Sequence, residues 1–293
     1  MRIASSLGDT LTRLQNAGLD RLDAQLLLLH VLGQPPTRRG WLLAHDTDLL
    51  PDAHAATLNQ LLQRRLAGEP LAYLTGYKEF FGLDLQVDAR VLVPRPDTET
   101  LVHWALDVLA LPSGAARAQQ PARVLDLGTG SGAIALALKA SLPTLHVVAV
   151  DLSADALAVA QSNAQRLQLD LRLGQGAWFA GLPDVSTKFD CIVSNPPYIA
   201  AQDPHLATLT HEPVQALTSG ADGLDDLRHV IAHAPAHLRN NGWLLLEHGY
   251  DQAAAVRQLL QAAGFRQLQS RQDLAGIERC SGGQWRSPST ASS

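Results

Sequence analysis

Leucines recur at helical spacing along the first 68 residues of the chain. Leu7, Leu11 and Leu14, for example, are three or four positions apart and fall on one face of a helix. Glycine and proline interrupt this pattern at short intervals, as they do where helices end. We therefore predict four or five short amphipathic helices that form a small bundle, and we assign residues 1–75 to an N-terminal helical domain.

The periodicity then changes to that of a β-strand. Apolar and polar residues alternate over positions 83–87, and this two-residue period is typical of a half-buried strand. With Arg90 to Val93 as the returning strand, residues 76–93 are predicted to form a β-hairpin linker between two domains. A helix capped by Asp97 or Thr98 is expected to follow.

Predicted strands and helices alternate over residues 94–286, which is the pattern of a parallel sheet covered by helices on both faces. Five segments are predicted as parallel strands and two more as an antiparallel edge pair: Arg123–Leu127, Leu145–Val150, Leu171–Leu173, Phe189–Ser194 and Trp243–Glu247, then Phe265–Ser270 and Ile277–Cys280. The predicted fold class is α/β, with a Rossmann-like domain around a mostly parallel seven-stranded sheet. Residues 111–122 are predicted as a surface loop and residues 287–293 as a disordered tail.

Composition narrows the class of protein. The 293-residue chain has two cysteines, far apart and with no CxxC pair, which excludes a disulfide framework and a zinc ribbon. Its N-terminus lacks an apolar signal segment, and no apolar run approaches the ~18 residues of a membrane span. A net charge of −5 and 5% aromatic residues argue against a nucleic-acid partner. We expect a cytoplasmic monomer with no membrane association.

A predicted strand, a glycine-rich turn and a helix start follow one another at positions 124–133. The turn consists of Gly128, Thr129, Gly130, Ser131 and Gly132. Glycines let backbone N–H groups approach a ligand, and Asp151 at the end of the next strand can accept both hydroxyls of a ribose. The GxGxG spacing differs from the GxGxxG of dinucleotide enzymes. The Asp126 carboxylate would repel a pyrophosphate but suits a sulfonium and an amino group, so S-adenosylmethionine is favoured over NAD.

The strand that ends at Ser194 is followed directly by four residues with the chemistry of an amine-binding site: Asn195, Pro196, Pro197 and Tyr198. The carboxyl ends of strands near the switch point of an open sheet form its ligand crevice. The prolines have no N–H, so their carbonyls only accept hydrogen bonds. Asn195 adds a side-chain carbonyl, and Tyr198 adds a flat wall. Two acceptors can hold the two hydrogens of a planar NH2 group, although a plain strand-ending turn would use the same prolines.

The glycine-rich turn and the Asn-Pro-Pro-Tyr segment together resemble class I methyltransferases that act on an amide or an exocyclic amine. Further segments resemble the release factor glutamine methyltransferases (the HemK/PrmC family): Tyr73–Gly76, Val93–Glu99, Glu212–Pro213, Asp222–Leu224 and Leu246–Gly249. The resemblance extends from the helical domain to about Trp285. It implies S-adenosylmethionine as the cofactor, peptide-chain release factors as the protein substrate, and methylation of the glutamine amide in their Gly-Gly-Gln motif.

The resemblance also implies roles for individual residues. The cofactor contacts would be Gly128, Thr129, Gly130, Ser131, Gly132, Asp151, Trp178 and Asn195. Substrate binding would fall to Asn195, Pro196, Pro197 and Tyr198, of which Asn195, Pro196 and Tyr198 would be catalytic. The helical domain would dock the release factor.

One position departs from the family pattern. An acidic residue that holds the adenine amine is expected before Trp178, and Ala177 stands there. Cofactor affinity would then be weaker, or Gln175 or a backbone carbonyl would replace the missing contact.

Other functions remain open at this point. An adenine- or guanine-amine nucleic-acid methyltransferase would use a similar Asn-Pro-Pro-Tyr site, but the acidic charge and the missing basic domain argue against it. A non-catalytic module that binds release factors would not need the glycine-rich turn, Asp151 or Asn195.

Two further patterns have simpler explanations than function. His229, His233 and His237 are spaced four apart, but Pro235 interrupts them and no carboxylate or cysteine completes a ligand set. We predict a solvated helix face and no metal. The segment at 282–284 contains the Gly-Gly-Gln tripeptide itself, for which a turn at a strand end is favoured over self-methylation.

Overall fold

The computed structural model describes residues 5–110 and 120–287, and the chain separates into two compact units, Met1–Tyr77 and Lys78–Ser293. Most of the loop predicted at 111–122 lies outside the described residues. The same is true of the tail predicted at 287–293, apart from Ser287.

The first unit contains five α-helices over its described residues: α1 Leu7–Asn16, α2 Arg21–Val31, α3 Arg39–Ala44, α4 Asp52–Leu66 and α5 Leu71–Thr75. Ser6 and Asp20 cap the first two helices by accepting hydrogen bonds from backbone N–H groups. Leucines dominate the core, as the spacing predicts. The periodicity of apolar residues does not reveal α5, because a five-residue helix is too short to show it. Gly76 caps the end of α5 in the left-handed conformation.

The β-hairpin forms, but not from the two strands that the sequence predicts. β1 Tyr77–Phe80 pairs with β2 Leu83–Gln86, so the partner of the alternating segment precedes it in the chain. The prediction of Arg90–Val93 as the returning strand is wrong. Asp88 accepts hydrogen bonds from the N–H groups of Arg90 and Val91, and this turn leads the backbone out of the hairpin.

The second unit is built on the predicted seven-stranded sheet. Its strands are β3 Arg123–Leu127, β4 His146–Asp151, β5 Arg172–Gln175, β6 Phe189–Ser194, β7 Leu238–Glu247, β8 Arg266–Gln272 and β9 Glu278–Gln284. They lie in the order β5-β4-β3-β6-β7-β9-β8. The first five are parallel and β9 is antiparallel to both β7 and β8, which confirms the predicted fold class.

Helices alternate with these strands along the chain. They are α6 Glu99–Ala110, α7 Ala133–Ser141, α8 Ala154–Leu167, α9 Asp225–His233 and α10 Ala253–Ala262. α9 ends at His233 and gives way to a short 3-10 turn over Ala234–Ala236, which contains Pro235. Among the residues that the structure describes, no helix is long and apolar enough to cross a membrane.

The topology switches direction at β3, and this positions the site. β4 and β5 lie on one side of β3, and β6 and β7 lie on the other. Leu127, the last residue of β3, is in register with Val150 of β4 and with Ser194 of β6. The residues that follow these three strands therefore meet at one edge of the sheet.

The internal Gly-Gly-Gln tripeptide lies inside β9 and is not a turn, so that prediction is wrong. Gly282 and Gly283 pair with strand β7 on one side, and Gly282 also pairs with β8 on the other. A Cβ atom at Gly282 would lie 2.6 Å from the Leu244 carbonyl oxygen, which explains the glycine. The Gln284 side chain donates to the Asn241 carbonyl at 3.1 Å.

The three histidines do not share one environment. His229 and His233 are exposed and stack on each other with ring centroids 4.2 Å apart. His237 stacks on Phe179 at 4.5 Å and is partly buried, so the predicted solvated face is wrong for this residue. Within residues 5–110 and 120–287, no group of three or more His, Cys, Asp or Glu side chains could hold a metal ion.

Candidate active site

A cavity of about 190 Å³ lies at the carboxyl ends of β3, β4 and β6. Its lining brings together six of the residues predicted for the site: Gly128, Gly130, Asp151, Trp178, Asn195 and Pro197. The cavity therefore occupies the crevice that the topology places at the switch point.

The other predicted members of the glycine-rich turn build the turn and do not line the cavity. The Thr129 hydroxyl donates to Asp126 Oδ2 at 2.7 Å. The Ser131 carbonyl accepts from the side chain of Asn163 on α8 at 3.0 Å. Gly132 begins α7 with φ +84°, and a Cβ atom there would lie 3.3 Å from that of Ala160.

Asp151 is fixed by backbone groups. Its Oδ2 accepts from the Gly130 N–H at 2.8 Å, and its Oδ1 accepts from the Ser153 N–H at 2.9 Å. Burial raises the pKa of this carboxyl, and the two backbone hydrogen bonds oppose the rise because they favour the ionised form. Both oxygens retain lone pairs, so the carboxylate can accept two further hydroxyl hydrogens at the cavity.

Trp178 forms one wall of the cavity because the chain turns back tightly after β5. A Cβ atom at Gly176 would lie 2.7 Å from the Cα of Gly181, so only glycine permits this close return. The indole lies 3.6 Å from the position of a Cβ on Gly128. Ala177 also lines the cavity, at the position where the family pattern has an acidic residue.

Asp126 lies fully buried beneath the glycine-rich turn. Its Oδ2 accepts from Thr129 and from the Ala135 N–H, whereas its Oδ1 has no hydrogen-bond partner within the described residues. Burial raises the pKa of this carboxyl to about 7. An unpartnered buried carboxylate oxygen is costly and suits a cationic ligand.

Asn195 and Tyr198 contact groups from two distant parts of the chain. Asn195 Nδ2 donates to the Thr98 hydroxyl at 3.2 Å, just before α6. The Tyr198 hydroxyl lies 3.5 Å from Glu247 Oε1 at the end of β7, and Thr98 also bonds Glu247. Since the amide nitrogen of Asn195 is engaged, its oxygen is the available acceptor. Burial raises the pKa of the Tyr198 phenol, so its hydroxyl keeps its proton.

Sequence comparison shows what this site is related to. Residues 7–76 match the family model of the PrmC N-terminal domain, and residues 114–222 match that of the methyltransferase small domain. A release factor glutamine methyltransferase of Bordetella pertussis is 52% identical over 92% of this chain and 97% of its own length. A protein of the same name from Vibrio cholerae is 46% identical over 97% of each chain.

This chain belongs to the release factor glutamine methyltransferase family.

Structural comparison agrees at the level of the fold. A methyltransferase from Pyrococcus furiosus has a TM-score of 0.51 and 18% identity, and the match covers 78% of this chain and all of that one. This match supports a methyltransferase fold, in which the glycine-rich turn and the Asn-Pro-Pro-Tyr segment share one cavity.

Two further segments of the chain line the cavity without having been assigned there from sequence. One covers residues 90–92 and the other contributes Pro213, Gln215 and Ala216. The buried Glu212 joins them, since it accepts from the Val93 N–H at 3.1 Å and from the Arg95 guanidinium. The family resemblance includes Glu212–Pro213 but begins only at Val93 in the other segment, and neither segment has a local pattern that indicates a site.

Thr98 and Glu247 lie together beside the candidate site, although no pattern in the sequence indicates that they do. The sequence indicates Thr98 as a possible helix cap and Glu247 as the end of a strand near the crevice. Both lie in segments that resemble the family, Val93–Glu99 and Leu246–Gly249, but no spacing pairs the two. Both are buried, at 4% and 1% exposure, and both lie beside Asn195 and Tyr198 through hydrogen bonds that no local spacing predicts.

Proposed function

We propose that this chain transfers a methyl group from S-adenosylmethionine to the side-chain amide nitrogen of the glutamine in the Gly-Gly-Gln motif of peptide-chain release factors. The observation that carries the proposal is Asn195, whose amide nitrogen is bound by Thr98. Its oxygen is thereby left to accept a hydrogen from a substrate NH2 group beside the cavity. The names of the relatives support the same reaction.

The lining of the cavity fits S-adenosylmethionine. Asp151 would bind the ribose hydroxyls, the Trp178 indole would pack on the adenine, and Gly128 and Gly130 would let the backbone approach the cofactor. The unpartnered Oδ1 of Asp126 lies beneath the turn and favours a positively charged ligand above it. When bound, S-adenosylmethionine supplies a methyl group attached to a positively charged sulfur.

The Asn-Pro-Pro-Tyr segment holds the substrate amide. Asn195 Oδ1 and the Pro196 carbonyl each accept one hydrogen of the glutamine NH2, and Pro197 and Tyr198 confine the rest of the side chain. An amide nitrogen is a poor nucleophile, so these residues act by orienting it towards the methyl group. The same two oxygens stabilise the positive charge that grows on nitrogen while the N–CH3 bond forms and the S–CH3 bond breaks. The methylated nitrogen then gives up one of its hydrogens to water, and S-adenosylhomocysteine leaves.

The helical unit docks the release factor. It matches the PrmC N-terminal domain over nearly its full length, and it exposes Leu43 and Leu49 at 62% each. Both side chains are accessible to a protein partner. The net charge of −5 argues against a nucleic-acid partner, and we expect the reaction in the cytoplasm, where release factors act.

Methyl transfer from labelled S-adenosylmethionine tests the proposal. The acceptors are a purified release factor, the same factor with its motif glutamine changed to alanine, and DNA and RNA. Label on the unmodified factor alone is the expected result. Label on nucleic acid with none on the factor would assign the site to a base-methylating enzyme, and label on the alanine variant would place the reaction at another residue.

A further inference from the structure

We infer that Glu247 is a positioning residue that acts through the Thr98 hydroxyl to fix which atom of the Asn195 side-chain amide faces the substrate. This inference deepens the proposed function and rests on it. The role is distinct from catalysis, because Glu247 is bonded to Thr98 and Tyr198 and is not itself bonded to Asn195.

The first step is the hydrogen-bond inventory of Thr98. A hydroxyl carries one hydrogen to donate and two lone pairs to accept with. Thr98 lies between the Glu247 carboxylate and the Asn195 amide, and it is 4% exposed. An ionised carboxylate only accepts hydrogen bonds, so the single hydrogen of Thr98 goes to Glu247. Thr98 must then accept from Asn195.

The second step follows for Asn195. Only its NH2 group can donate to Thr98, so the amide is fixed with nitrogen towards Thr98 and oxygen away from it. The reversed amide would place its oxygen against the Thr98 oxygen with no hydrogen between them. That orientation would also present an NH2 group to the NH2 group of the substrate, two donors facing each other. The charge of Glu247 thus selects the orientation that an amide substrate needs.

The third step concerns the groups around Glu247, which is 1% exposed and has no partner for Oε2 within the described residues. Burial raises its pKa to about 7, and the hydrogen bond from Thr98 opposes that rise. Asp97, Arg279 and Tyr198 are the charged or titratable groups that act on it, and Cys280 lies close enough to feel its charge. A protonated Glu247 could donate to Thr98 and release the hydroxyl hydrogen towards Asn195.

The first test uses paired substitutions at Thr98, with methyl transfer to the release factor as the readout. Thr98→Val keeps the shape and loses the hydroxyl, and we expect kcat to fall at least about tenfold. Thr98→Ser keeps the hydroxyl and should stay within about threefold of the unmodified enzyme. The dissociation constant of S-adenosylmethionine should change less than about twofold in both variants. Melting temperatures check that each variant folds.

An unchanged kcat in Thr98→Val would overturn the inference. So would a Thr98→Ser variant as slow as Thr98→Val, since that result would indicate a packing role for the methyl group.

The second test needs no substrate and therefore separates this inference from the proposed function. The side-chain NH2 resonances of Asn195, assigned by their loss in Asn195→Ala, are followed by 15N NMR between pH 5 and about 9. We expect them to shift with a midpoint near the Glu247 pKa of about 7. The shift should disappear in Glu247→Gln. It should persist in the control Glu278→Gln, which removes a half-exposed carboxylate paired with Arg257.

Asp126 also has a pKa of about 7, so the same titration is run on Asp126→Asn, where the shift should remain. Persistence of the shift in Glu247→Gln would overturn the inference. If the unmodified enzyme methylated no release factor while these resonances behaved as expected, the proposed function would fail and the positioning network would stand.

Discussion

At the end of β4, the Asp151 carboxylate is held by two backbone N–H groups, those of Gly130 and Ser153. At the end of β6, on the other side of β3, the Asn195 amide is held by the side chain of Thr98. The end of the cavity that we propose for the cofactor is thus oriented mainly by backbone, and the proposed substrate end by side chains from distant segments. A backbone-built site depends on the turn keeping its shape, whereas a side-chain-built site depends on the charge and identity of each partner.

This contrast separates the effects that substitutions should have. Changes at the Asp151 end should weaken cofactor binding and leave turnover at saturation nearly intact. Changes at the Asn195 end should lower kcat and leave the dissociation constant of the cofactor nearly unchanged. The following predictions test that separation, from the largest expected effect to the smallest.

Asn195→Ala should lower kcat by about 10²–10³-fold, because it removes an acceptor that stabilises the charge growing on the substrate nitrogen. The dissociation constant of S-adenosylmethionine, measured by calorimetry, should change only about twofold. Asn240→Ala, on an exposed residue at the other end of β7, is the matched control and should leave both quantities unchanged. Equal losses of binding and turnover would break the separation.

Asp126→Asn should change how stability depends on pH. The folded-state pKa of about 7 lies above the usual 3.8, so the folded state holds a proton that the unfolded state has lost between these values. Stability of the ligand-free protein therefore falls as pH rises from about 4 to about 7.

Denaturant unfolding at pH 5 and pH 8 measures this effect. Between these two pH values, the free energy of unfolding of the unmodified protein should fall by roughly 3 kcal/mol more than that of Asp126→Asn, an upper bound set by the pKa shift. Parallel pH dependence in the two proteins would show that Asp126 is ionised without penalty in the folded state.

Asp151→Asn should raise the dissociation constant of S-adenosylmethionine by about 10–100-fold, since hydrogen bonds to a charged group contribute about 1.5–3 kcal/mol. At saturating cofactor, kcat should remain within a few-fold of the unmodified enzyme. Asp155→Asn, at an exposed site in the first turn of α8, should leave the affinity as it is. A large fall in kcat at saturation would mean that Asp151 also orients the reacting groups.

Ala177→Asp should strengthen cofactor binding about fivefold, because it supplies the carboxylate that the family pattern places before Trp178. Ala180→Asp introduces the same charge at an exposed position of the same turn and should have no such effect. Calorimetric titration of both variants measures the difference. Unchanged affinity in Ala177→Asp would indicate that the adenine amine has another partner.

The same contrast explains how far the sequence could predict the molecule. β3 and β6 are predicted to the residue, because a parallel strand between helices has a continuous apolar pattern. The glycine-rich turn and Asp151 are also local features, since the residues that fix them lie within 21 positions of one another.

The substrate end could not be predicted in the same way. Thr98 and Asn195 are 97 positions apart, and Tyr198 and Glu247 are 49 apart. Only the sheet order brings them together, and no spacing in the sequence encodes it. The prediction of the second hairpin strand is wrong for a related reason. Alternation of apolar and polar residues identifies β2 but not which neighbouring segment pairs with it.

The most direct measurement is the position of the transferred methyl group. After incubation with S-adenosylmethionine, a release factor is compared by fragment mass spectrometry with a variant whose motif glutamine is changed to glutamate. Glutamate has nearly the same shape but no NH2 group for Asn195 and Pro196 to hold. We expect one methyl group on the side-chain nitrogen of the glutamine and none on the variant. Methylation of the glutamate variant, or of any other residue in place of the glutamine, would contradict an amide-selecting site.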